Sequence, residues 1–160
     1  MTRDDELRDY FAARATGMRR TAYLVVRDWH TAEDMVQATF VQLYRHWSRI
    51  RSDSLDAYAR RVLVNQCLSQ LRRHRREQLT DAPPEHPGHE HVPGLDVAVT
   101  LAVLPPQQRA IVALRFLDDL SVADTAQALG VAEGTVKSQT SRALATLRRH
   151  VPTLALEETK

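Results

Sequence analysis

The sequence predicts an all-α fold, and three observations carry that reading. Large apolar side chains recur at three- and four-residue intervals, no stretch sustains the period-two alternation of a half-buried strand, and the β-branched residues fall inside helical periods. Gly is scarce, five in 160 residues, and four of the seven prolines lie between residues 83 and 93, so the helix-breaking residues gather in one place. That place divides the chain into two small helical domains, 1–77 and 96–152, joined by a flexible linker over 78–95 and followed by a tail over 153–160.

Each element has its own local justification. Leu7, Tyr10, Phe11, Ala15 and Met18 open a first helix, and Ala22 to Arg27 continues its apolar stripe until Asp28 to Thr31 interrupts it. Thr31 with Asp34 resembles a capping box with Asp in place of Glu, opening a second helix that runs to about Ser48. Its apolar set is Met35, Val36, Phe40, Leu43, Tyr44 and Trp47. After the polar joint Arg49 to Ser54, a third helix from Leu55 to Arg76 carries Tyr58, Val62, Leu63, Leu68 and Leu71, and ends in the run RRHRR. The stretch QLTDAPPEHPGHEHVPGL, Gln78 to Leu95, breaks any regular period and has few large apolar side chains.

Beyond it, Pro105 and Pro106 open a helix that reaches about Phe116, since a proline in the first turn removes an N–H that has no intrahelical partner. Ser121 and Asp124 form a second capping pair at the head of SVADTAQAL, which Gly130 stops. From Glu133 to about His150 the chain is helical again. Val136, Thr140, Ala143, Leu144 and Leu147 take one side, and Lys137, Ser138, Ser141, Arg142 and Arg148 the other. Pieces of this size bury only about 60% of their unfolded surface and are marginal alone, so partners are expected to contribute to their stability.

Composition excludes several function classes. Lys and Arg number 22 against 20 Asp and Glu, a formal charge of +2, which argues against a uniformly basic coat protein and leaves room for local basic faces. Arginine gathers at 60 to 76, and the last helix collects Lys137, Arg142, Arg148 and Arg149. No apolar run approaches a membrane span and the N-terminus is acidic where a secretory signal is basic, so a cytoplasmic address is expected. Cys67 stands alone, which excludes an internal disulfide and a multi-cysteine zinc site. His86, His89 and His91 lie in the Pro-Gly-rich stretch with no helix to converge them, and a solvated linker accounts for them better than a metal site. No nucleophile elbow, phosphate loop, H-E-x-x-H or paired-carboxylate motif appears, so neither enzymatic activity, nor a cofactor, nor a small-molecule substrate is expected. The eight residues after Pro152 are too few for an added regulatory domain.

Two helices joined by a Gly-containing turn, the second with a polar and basic face, follow the helix-turn-helix plan. The second helix must enter the major groove, so its outward side chains need to be donors and acceptors while its inward ones lock it onto the first. Gly134 to Arg142, GTVKSQTSR, supplies that arrangement, and Ala126 and Ala128 keep the first helix slim where the two approach.

The block LPPQQRAIVALRFLDDLSVADTAQALGVAEGTVKSQTSRALATLRR, Leu104 to Arg149, resembles region four of the extracytoplasmic-function class of bacterial RNA polymerase sigma factors. The likeness includes L-P-x-x-x-R at Leu104, Pro105 and Arg109, D-L-S before the helix-turn-helix, and G-T-V-K-S at its second helix. Independently, TAEDMVQATFVQLYRHW, Thr31 to Trp47, and YARRVLVNQCLSQLRRHRR, Tyr58 to Arg76, resemble region two and the helix that follows it. The resemblance implies no cofactor and two partners, the β and β′ subunits of core RNA polymerase and promoter DNA. Members of the class are often held by an anti-sigma factor.

The resemblance also implies site residues. Region two docks on a β′ coiled coil, here through Asp34, Gln37, Thr39, Phe40 and Leu43, of which Asp34, Gln37 and Thr39 are expected to face outward. For the -10 element the joint and the following helix offer Arg49, Arg51, Ser52, Arg60, Arg61, Asn65 and Arg72. Asn65 suits either a base edge or a helix–helix hydrogen bond. Region four docks on the β flap and reads the -35 element through Thr135, Lys137, Ser138, Gln139, Ser141 and Arg142. Gln139 stands where Arg is common, favouring adenine over guanine if it touches a base, and Ala132 stands where Ser or Thr usually caps the helix. The competing reading is a polymerase-independent helix-turn-helix regulator that binds duplex DNA as a dimer.

Overall fold

The computed structural model describes residues 2–78 and 95–150. Of the expected linker, 78–95, residues 79–94 with their histidines lie outside the described residues, as does the tail, while Gln78 and Leu95 at its two ends are helical. Within them the chain is helical and forms no strand: α1 (Arg3–Val26), α2 (Trp29–His46), α3 (Leu55–Gln78), α4 (Leu95–Leu101), α5 (Pro106–Val112), α6 (Val122–Leu129) and α7 (Glu133–His150).

The helix boundaries follow local chemistry. At the head of α1, Thr2 accepts from the Asp5 N–H while the Asp5 carboxylate accepts from the Thr2 N–H, a capping box. Arg27 closes α1 in the left-handed region at φ 67°, its N–H bonded to Tyr23 O at 2.7 Å. The second helix starts two residues before Thr31. Asp28 is its cap, accepting from the Thr31 N–H at 2.8 Å and the Thr31 hydroxyl at 2.6 Å, so Thr31 is a donor to the cap and lies inside the helix. The short helix α4 was not expected. Val97, Val99 and Thr100 hide its period, which is carried by buried Ala98 and Leu101 three residues apart. From Ala113 to Leu117 the helix begun at Pro106 widens into a π turn, closed by the Asp118 N–H to Ala113 O at 3.0 Å. Asp119 then turns the chain at φ 55°.

Helices α1, α2 and α3 pack mutually around Leu24, Val25, Val36, Leu43, Leu63, Val64 and Cys67. Polar ties brace the outside. Tyr10 donates to Asp56 at 2.6 Å, and Arg14 reaches both oxygens of that carboxylate at 3.1 Å. Burial pushes Asp56 upward, but the Tyr10 and Arg14 bonds outweigh it, and its pKa lies below the ordinary carboxylate value. Burial also raises the Cys67 thiol to about 12, which keeps it protonated and inert.

The two halves do not stand apart. Helix α3 packs on α6, α1 packs on α4 and α5, and one apolar core runs from Ala22 and Val36 through to Leu104, Leu114 and Leu147. Each half thus supplies apolar surface that the other, marginal alone, needs to cover. Among the described residues, polar contacts cross the seam at Arg109 and at Thr21. Arg109 of α5 donates through Nε and Nη2 to Val25 O at 3.0 and 2.7 Å, and through Nη1 to Leu104 O at 2.8 Å. The Thr21 hydroxyl lies 3.0 and 3.1 Å from the two oxygens of Asp118.

Asp118 is exposed as a residue, but desolvation of its carboxyl at the seam raises its pKa above the ordinary carboxylate value, with the Thr21 bond and the charges of Arg60 and Arg20 only partly offsetting it. A carboxyl whose pKa is raised by folding binds its proton more tightly in the folded chain. Its contribution is therefore full below the ordinary carboxylate range and is lost as the pH rises through the raised value. Asp118→Asn keeps an acceptor for Thr21 and removes the charge. Thermal unfolding is expected to show this variant more stable than the wild type at neutral pH, with the gap closing in acid; an Asn variant less stable at pH 7 contradicts the assignment.

Candidate promoter and polymerase interfaces

The helix-turn-helix is assembled from α6 and α7. Ser121 caps α6 by accepting from the Asp124 N–H at 3.0 Å, and Gly130 ends it in the left-handed region at φ 67°, where a side chain would be strained. Ile111, Ala126 and Val136 form a small core of their own that locks α7 against α5 and α6. Thr140 is buried with its hydroxyl bonded to Val136 O at 2.6 Å, and Ala143 and Leu147 continue the inner face.

The opposite side of α7 is open. Lys137, Ser138, Ser141 and Arg142 are exposed together, with Arg148 and Arg149 two turns on, while Thr135 is half-buried near the helix start. Gln139 departs from this face: it is half-buried, and its Oε1 accepts from Gln108 Nε2 at 2.9 Å. The α7 N-terminus carries Ala132, whose carbonyl accepts from the Thr135 and Val136 N–H groups at 3.0 and 3.2 Å but whose side chain offers no oxygen. Ala132→Ser adds that acceptor. It is expected to stabilise the chain by about 1 kcal/mol, read as a Tm rise of roughly 3 °C; an unchanged Tm would show that the cap is not formed.

Between α2 and α3 the chain makes two short 3-10 turns, Trp47–Arg49 and Ser52–Ser54. With the start of α3 they surround a cavity of about 380 Å³ lined by His46, Arg49, Ile50, Arg51, Ser54 and Tyr58. Arg49, Arg51 and Ser52 are all exposed, and Arg51 pairs with Asp53 at 3.6 Å. His46 and Tyr58 were not expected here. They lie one on each side of the joint in sequence, and only its fold brings them to one wall. Along α3, Arg61, Asn65 and Arg72 are exposed at spacings of four and seven, one face of the helix. Arg60 is not on that face. It is half-buried and lines an inter-domain cavity of about 310 Å³ together with Arg14, Asp56 and Asp118.

The expected docking face on α2 needs correction. Asp34 and Gln37 are exposed, but Thr39, Phe40 and Leu43 are buried. Thr39 is wholly inaccessible, its hydroxyl bonded to Met35 O at 2.7 Å, so a polar side chain rides on the core face by satisfying itself within the helix. On these first two helices the large apolar side chains that reach solvent are Val41 and Tyr44 on α2 and Phe11 on α1. A groove of about 370 Å³ runs between the helices, lined by Leu7, Arg8, Phe11, Phe40 and Tyr44. Among the described residues no three His, Cys, Asp or Glu side chains are placed to hold a metal, and no helix is long and apolar enough to cross a membrane.

Known proteins share this arrangement. The family model for sigma-70 region 2 matches residues 11–77, and that for sigma-70, region 4 matches residues 95–147. The chain is 35% identical over 158 residues to the RNA polymerase sigma-E factor of Streptomyces avermitilis, an alignment covering 95% of this chain and 88% of that protein. It is 34% identical over 137 residues to the ECF RNA polymerase sigma factor SigM of Mycobacterium tuberculosis, covering 82% of this chain and 70% of that one. In three dimensions it is similar to the sigma factor RpoE of Bartonella quintana, solved in complex with the anti-sigma factor NepR. The TM-score is 0.78 at 26% identity, over 90% of this chain and 95% of that chain. Two small helical domains, the second a helix-turn-helix with an open basic face, define a promoter-reading initiation factor. The chain belongs to the sigma-70 family of RNA polymerase sigma factors, in its extracytoplasmic-function class.

Proposed function

We propose that this chain carries core RNA polymerase to promoters by dividing the work between its halves. The first half docks on polymerase through the exposed part of α2, Asp34 and Gln37, beside the apolar groove shared with α1. Its 3-10 joint, with Arg49, Arg51 and Ser52, receives a base released from the -10 element, in a cavity where Tyr58 and His46 offer rings for stacking. Arg61, Asn65 and Arg72 run along the strand beyond it. The second half places α7 in the major groove of the -35 element, with Lys137, Ser138, Ser141 and Arg142 toward DNA, Gln139 at the flank and Thr135 near a phosphate. The observation that carries this reading is the open basic face of α7 in the same chain as the arginine-lined cavity. The reaction belongs to polymerase, so the chain works in the cytoplasm without catalysis or cofactor of its own.

Arg60 faces Asp118 across the seam, so its use on DNA requires the halves to separate. An anti-sigma factor that favours the packed arrangement would withhold it; the Bartonella relative was solved in complex with an anti-sigma factor. Core polymerase plus this chain is expected to yield discrete start sites on a genomic promoter library, mapped by run-off transcription. No start site on any promoter, with the chain alone retarding duplex DNA, would instead establish a polymerase-independent regulator.

A further inference from the structure

Gln139 is the one expected promoter-reading residue of α7 whose amide is already engaged. Its Oε1 accepts from Gln108 Nε2 on α5 at 2.9 Å, a part-buried bond between residues 31 apart. The Gln108 Oε1 is itself buried, with no partner among the described residues. The bond from Gln108 Nε2 sets which end of the Gln139 amide is turned toward α5.

That direction bears on base recognition. A glutamine reads adenine with two bonds, its carbonyl accepting from N6 and its NH2 donating to N7. Here the carbonyl is turned toward α5, and what remains for DNA is the NH2. We propose that Gln108 is a positioning residue for promoter readout: by holding Gln139 through its carbonyl it makes that side chain a donor. A donor suits the acceptor edges of guanine, O6 and N7, and of thymine, O4, and it meets cytosine N4 donor to donor. The two-bond match to adenine expected from residue identity alone is lost. This inference rests on the reading of α7 as the -35 helix.

The test uses the full chain with core polymerase on a promoter library randomised through the -35 element, with transcripts sequenced. Gln139→Ala identifies the base position involved. Gln108→Leu keeps the volume while removing both the donor and the unpaired acceptor, and is expected to flatten the preference at that position by roughly fivefold. Gln108→Glu replaces the donor by an acceptor, drawing the Gln139 NH2 inward and turning its carbonyl out. The favoured bases there are then expected to switch to cytosine or adenine. The two variants alter one contact by different chemistry, so either decides the question if the other fails to fold. Unchanged relative preferences overturn the proposal, and so does a uniform fall across all -35 sequences with a lowered Tm, the mark of a packing role alone. Lys137→Ala with Arg142→Ala serves as control: if that pair also leaves the profile unchanged, the fault lies in the reading of α7.

Discussion

Replacing Arg109 by Leu is expected to destabilise the folded chain by about 3 kcal/mol and to lower its Tm by roughly 10 °C. Arg109 is 6% exposed, and its guanidinium bonds two carbonyls, one from each half of the molecule. No carboxylate pairs with it among the described residues; its ionic environment is the last turn of α1. That turn has no basic residue of its own, and Val25 O lies at its negative end, so a side chain from the other domain completes the helix terminus. Burial, with a smaller push from Arg27, lowers the guanidinium pKa to about 10, which leaves it charged at neutral pH. Leu would remove the cost of burying that charge, yet it leaves two inward carbonyls without donors, and the second effect is the larger. Arg109→Lys is expected to recover less than half of the loss, because one ammonium cannot span carbonyls that a planar fork reaches from both sides. Thermal unfolding followed by circular dichroism measures this, and a Tm within roughly 2 °C of the wild type would refute the bridging role.

Changing Lys137 and Arg142 together to Ala is expected to lower transcription from a -35-dependent promoter by roughly 100-fold, from the 1–3 kcal/mol typical of each good groove contact. Both side chains are exposed on α7 and neither bonds to another side chain among the described residues, so the loss should come without a change in Tm. Salt separates their roles. Each phosphate contact removed is expected to reduce the slope of log affinity against log salt by about 0.9, whereas a lost base contact changes relative preference among -35 sequences. Undiminished -35-dependent transcription in this variant would exclude α7 as the reading helix.

Much of the helix-turn-helix was legible in the residues themselves. Ser121 as a cap, Gly130 as a left-handed stop and the inner stripe Val136, Thr140, Ala143 and Leu147 are decided within one or two turns of backbone, and all stand as expected. The docking face on α2 was less legible. Polarity placed Thr39 outside, but its hydroxyl is satisfied by Met35 O four residues back, so the helix can bury it at little cost. The cap of α2 was misplaced for a related reason: Asp28 and Thr31 are both capping residues, and which of them caps is decided by the turn that Arg27 makes. Asn65 was open between a base edge and a helix contact, and it is exposed beside Arg61 and Arg72 on one face of α3.

The sequence alone therefore determined the all-α class, most helix limits and the family, because these rest on periodicity and on capping between residues three or four apart. Only the tertiary structure decided how the two halves meet. Arg109 finds Val25 at a separation of 84 residues, Thr21 finds Asp118 at 97, and Arg60 is turned away from the exposed face of α3 into their shared seam. No local pattern encodes those partners. They follow from two apolar faces closing on one another and carrying their polar neighbours into contact.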